Sequence, residues 1–108
     1  MDIPFVKKEI KGFLDDEGKL HSYPAKFKKQ LYVLFYLASK FEHGVRYTEK
    51  EVNKVLNDWH TFSDWASLRR DLSDRHFLGR ESSGYSYWLE ENQPTLASFG
   101  LEDAQPLR

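Results

Sequence analysis

Seven side chains between residues 50 and 85 have the types and spacing for contact with a polyanion: Lys50, Lys54, Ser63, Ser67, Arg70, Arg80 and Tyr85. A helix over about residues 63–76, with Trp65, Leu68 and Leu72 on its core face, puts Ser63, Ser67, Arg70 and Asp74 farthest from that core. An outward arginine can donate two bonds to guanine O6 and N7, and serine hydroxyls reach phosphates or base edges. Lys50 and Lys54 on a preceding helix, with Arg80 and Tyr85 on a following hairpin, would flank that helix as phosphate contacts. Asp74 and the flanking Asp71 oppose such a role. Arg69 falls nearer the core flank, where it would pair with Glu51 or Asp58. Arg70 is equally an ordinary exposed arginine, and Lys50, Lys54, Arg80 and Tyr85, each taken alone, are more often simply solvated.

Other chemistry finds little support. The chain has no cysteine, so it offers neither a thiolate ligand nor a thiol nucleophile nor a disulfide. His21, His43, His60 and His76 are scattered, with no His-x-x-x-His pair. His60 and Asp64 could meet as an acid–base pair, although a capping contact is the simpler reading. The run Asp15, Asp16, Glu17, Gly18 reads as a turn, because the spaced ligands and distal glutamate of a calcium loop are missing. Gly-x-Ser-x-Gly, phosphate-loop and dinucleotide patterns are absent. No catalytic residue, metal or cofactor is expected.

The elements that must position the seven residues follow from punctuation and periodicity. Ile3, Val6, Ile10, Phe13 and Leu14 recur at helical spacing behind Asp2 and Pro4, which predicts an opening helix over residues 2–14. Pro24 suits the first position of a second helix reaching about Phe41, nearly all apolar between residues 31 and 38, with Lys26, Lys28 and Lys29 set against its dipole. Gly44 stops it, and residues 45–47 read as a short strand. Thr48 and Glu51 form the pattern of a capping box, so a third helix starts there, burying Val52, Val55, Leu56 and Trp59. Thr61 or Ser63 would cap the fourth. Residues 78–82 and 85–89 then read as strands about a Ser83–Gly84 turn. Helix, turn, helix and hairpin in this order predict a mainly α fold with a small β-hairpin, a winged helix-turn-helix preceded by a short N-terminal helix.

A single domain over residues 1–89, with its core over 24–89, leaves residues 90–108 as an acidic tail broken by Pro94, Gly100 and Pro106. The formal charge of −1 is unevenly spread. Residues 24–89 carry eleven basic and eight acidic side chains, a balance of +3, whereas residues 90–108 carry one and four, a balance of −3. Neither a signal peptide nor a membrane-spanning run is expected, and the cytoplasm is the expected location.

Three ordered stretches carry a resemblance: Pro-Ala-Lys-Phe-Lys-Lys-Gln at residues 24–30, Arg-Tyr-Thr-Glu-Lys-Glu-Val-Asn at 46–53, and Leu-Arg-Arg-Asp-Leu at 68–72. Over about residues 19–88 the chain resembles an uncharacterised bacterial domain family of winged-helix character, whose members are sometimes joined to helix-turn-helix regulators. The resemblance implies a transcriptional setting and no shared biochemical activity. The expected function is transcriptional regulation by binding duplex DNA. The alternative is a non-enzymatic protein-interaction module on the same scaffold, engaging a protein partner or a second copy of itself.

Overall fold

In the computed structural model, which describes residues 2–101, the eight consecutive residues 31–38 are all buried. They belong to α2 (Phe27–Ala38), and a helix apolar on every side must be enclosed on every side. α1 (Ile3–Glu9) packs on it, burying Val6 and, just past its end, Ile10. α4 (Trp65–Asp74) packs on it too, and α3 (Glu49–Trp59) pairs with α4. β1 (Leu78–Arg80) and β2 (Tyr87–Leu89) form an antiparallel hairpin in the register Leu78–Leu89, Gly79–Trp88, Arg80–Tyr87. The order is that of a winged helix-turn-helix with one helix in front.

The local chemistry explains the boundaries. Thr48 Oγ1 accepts from the Glu51 amide (3.1 Å) while Glu51 Oε1 accepts from the Thr48 amide (2.8 Å), so α3 opens on the expected capping box. Its far end is tied to α4 by the buried His60, whose Nδ1 donates to the Leu56 carbonyl (2.6 Å) and whose Nε2 accepts from the Asp64 amide (2.9 Å). Those two bonds together place the ring proton on Nδ1.

Several expected boundaries shift. The cap of α4 is Asp64, accepting from the Ser67 amide, rather than Thr61 or Ser63, and Ser63 itself lies in the left-handed region (φ 55°) ahead of the helix. Trp65 is therefore the first residue of α4, at the rim where the chain leaves the turn, and it is 37% exposed instead of lying in the core. Leu68 and Leu72, one and two turns further in, are fully buried. α2 begins at Phe27, because Pro24 is spent before the helix: its carbonyl accepts from Gln30 Nε2 (2.9 Å) and Lys26 is still extended. The opening helix ends at Glu9 and a single 3-10 turn, Lys11–Phe13, follows. Leu14 is by then extended and bridges Leu20, which in turn bridges His60. Between them Asp15 Oδ1 accepts from the amides of Glu17 and Lys19, so this acid serves the turn.

The strand expected at residues 45–47 reduces to one bridge, Tyr47 to Tyr87, with reciprocal 2.8 Å bonds on the outer side of β2. In the hairpin the expected register holds, but pairing stops at Glu81 and Ser86, leaving a four-residue tip with Gly84 at φ 78°. The core also continues past Leu89. Leu96 is buried, Gln93 Nε2 donates to the Phe77 and Glu90 carbonyls, and Phe99 stacks on Phe77 at 6.2 Å. The first part of the acidic tail is thus packed, while its remainder, residues 102–108, lies outside the described residues. No helix among the described residues is long and apolar enough to cross a membrane.

Candidate nucleic-acid interface

α4 and the hairpin leave a concavity of about 320 Å³ between them, lined by Glu49, Ala66, Arg69, Arg70, Ser73, Asp74, Arg80 and Tyr87. Of the seven residues singled out in the sequence, this cleft brings together two, Arg70 from the middle of α4 and Arg80 from the end of β1. Both are exposed, and neither takes part in an ion pair among the described residues. Two guanidinium groups without carboxylate partners on either side of one hollow form a seat for a phosphate or a comparable oxyanion.

Arg69 completes the cleft in a different state. Its side chain bonds Asn53 Oδ1 and lies 3.7 Å from Glu49 Oε2, so it bridges α3 and α4 as a structural residue. The expected partners were Glu51 and Asp58. Glu51 is consumed by the capping box, and Asp58 lies 3.4 Å from Lys54. Asp71, which would have repelled phosphate, is turned to the core flank, where the Tyr23 hydroxyl donates to its Oδ2 at 2.8 Å. Burial, reinforced by that bond and by the Asp71 charge, pushes the Tyr23 phenol well above its ordinary range. Asp74 does stay exposed in the cleft.

The other five residues do not line the hollow. Lys50 and Lys54 are exposed on α3, with Lys54 sharing Asp58. Ser67 is half-buried and its amide is taken by the Asp64 cap, while Ser63 is exposed in the turn. Tyr85 stands at the hairpin tip, 79% exposed. A residue not singled out in the sequence, Arg46, braces the hairpin near its tip: it lies over the Trp88 ring at 4.4 Å, donates to Ser86 Oγ at 3.1 Å and sits 3.5 Å from Glu81. The single bridge at Tyr47 is too short to leave a period in the sequence that would have pointed to it.

A family of uncharacterised proteins conserved in bacteria, DUF2087, has a model that matches residues 19–89, about two-thirds of the chain. The chain belongs to DUF2087. The matched stretch runs from Lys19, one residue before the bridge residue Leu20, to the end of β2, so the DUF2087 segment holds the cleft and all seven residues, while α1 and the packed tail lie outside it. No curated protein and no solved structure matches the chain.

Proposed function

We propose that this DUF2087 chain is a cytoplasmic, non-enzymatic regulator of transcription that binds duplex DNA, with α4 entering the major groove and the hairpin resting on the adjacent backbone. The order of α3, the turn, α4 and the β1–β2 hairpin supports this reading. The observation that carries it is the pairing of Arg70 and Arg80, two arginines without ion-pair partners among the described residues, across the cleft between the helix and the hairpin. Arg70 would reach a base edge or phosphate from the helix, Arg80 a phosphate from the hairpin, and Lys50 and Lys54 the strand crossing α3.

The exposed Trp65 and Tyr85 favour a second reading, in which the same face takes a protein partner through its aromatic side chains. Titration of a random-sequence duplex over a salt series separates the two. A DNA binder that displaces several counterions loses affinity steeply as salt rises. Absence of any binding at low salt rejects the DNA reading and leaves the protein-partner one.

A further inference from the structure

Asp74 carries a charge that the fold does not use. It is the last residue of α4, where a carboxylate opposes the helix dipole, and its side chain takes part in neither a hydrogen bond nor an ion pair among the described residues. Arg70 stands one turn before it on the same helical face, yet the two do not pair, and a cation ahead of an anion is the weaker order for such a pair. Both are exposed, and both line the cleft with Arg80. The neighbouring acids all have partners: Asp71 accepts from the Tyr23 hydroxyl, Asp64 caps α4, and Glu49 lies 3.7 Å from Arg69. Asp74 alone faces the cleft uncommitted, and beside phosphates it weakens binding.

We infer that Asp74 determines base specificity: Arg70 takes a guanine, and Asp74 accepts from the exocyclic amino group of a cytosine or adenine at a fixed position one or two base pairs away. This rests on the duplex-DNA reading above and names the sequence class that it leaves open. An ionised carboxylate only accepts, and the donors on the floor of the major groove are cytosine N4 and adenine N6. Guanine and thymine turn acceptors toward the groove, as the phosphates do, so the charge that suits an amino base repels the alternatives. Every base pair holds one amino base, and the carboxylate reads which strand carries it. Four residues of helix span about 6 Å against about 3.4 Å per base step, which sets the spacing. Arg80, on the hairpin side of the cleft, holds a phosphate and offsets the affinity that Asp74 removes.

The test is selection of bound duplexes from a randomised library by the full chain, wild type and Asp74→Ala, followed by anisotropy titrations of a selected and a random duplex at one fixed salt concentration. The wild type should enrich a guanine with a cytosine or an adenine one or two base pairs away, and the enriched base distinguishes the two amino groups. Replacing that base by guanine or thymine should weaken wild-type binding about tenfold, whereas Asp74→Ala should bind the selected and the replaced duplex equally. Asp74→Ala should also bind the random duplex more tightly than the wild type does, with a melting temperature no lower. The inference alone is overturned if the wild type binds without preference at that position, if Asp74→Ala keeps the preference or binds the random duplex no more tightly, or if its melting temperature falls. A wild type that binds no duplex at low salt overturns the DNA reading and this inference together.

Discussion

At the scale of single residues, the contrast between Trp65 and its neighbours on α4 is the sharpest consequence of the fold. Trp65 and Leu68 sit on one helical face by sequence, yet only Leu68 is enclosed. Leu68→Ala should therefore cost about 3 kcal/mol in urea unfolding, while Trp65→Ala should cost under about 1 kcal/mol. Equal losses would contradict the packing described. Tyr23 offers a second test. Its phenol is protonated in the fold at a pH where the unfolded chain would ionise, so the stability it contributes is complete below about pH 10 and is lost as pH rises above that value. The stability difference between the wild type and Tyr23→Phe should narrow steadily from about pH 10 upward; a constant difference would mean that burial and Asp71 do not hold the phenol protonated. The carboxylate that looked hostile to phosphate was readable from sequence only as an acid beside Arg70. Its partner lies 48 residues away, and no local pattern encodes so distant a bond.

At the scale of elements, the legible parts were those with local causes. The capping box at Thr48 and Glu51 and the apolar run of α2 depend on neighbours within a few residues, and both are present where the sequence puts them. The start of α4 was misplaced because its cap depends on the buried His60 as much as on Asp64, and burial of a histidine has no sequence signature. The end of α4 was obscured by a similar exchange. His76 occupies the left-handed position (φ 70°) of a Schellman motif, in which Phe77 N–H bonds the Leu72 carbonyl and His76 N–H that of Ser73, a place usually held by glycine. His76→Gly should thus raise stability by roughly 0.5–1 kcal/mol by relieving the left-handed backbone. A loss on thermal unfolding would mean that the histidine side chain makes a contribution larger than that strain. In the hairpin, Gly79 has the opposite constraint, since a Cβ there would lie 2.3 Å from the Trp88 indole nitrogen. The ring covers its cross-strand glycine, and Arg46 covers the ring.

At the scale of the whole molecule, the split of charge between a basic middle and an acidic end takes a different meaning once the end is partly packed. Leu96 and Phe99 close the core over Phe77, so removal of residues 90–108 should lower the melting temperature, and Leu96→Ala alone should cost about 2–5 kcal/mol. An unchanged melting temperature after truncation would show that the packing contributes nothing. Sequence reading ended the domain at Leu89 because Pro94 and Gly100 interrupt every period there, and a segment that packs through isolated apolar residues leaves no repeat to detect. The same limit applied to the cleft. Arg70 and Arg80 were each legible as exposed bases, but their meeting across one hollow is a product of tertiary packing. That meeting is the centre of the functional account, and the salt dependence of duplex binding by the Arg70→Ala/Arg80→Ala double variant tests it most directly. If each arginine neutralises one phosphate, the slope of log affinity against log salt should fall by about 2 relative to the wild type, with the fold retained. A wild-type slope and affinity in the folded double variant would contradict the account.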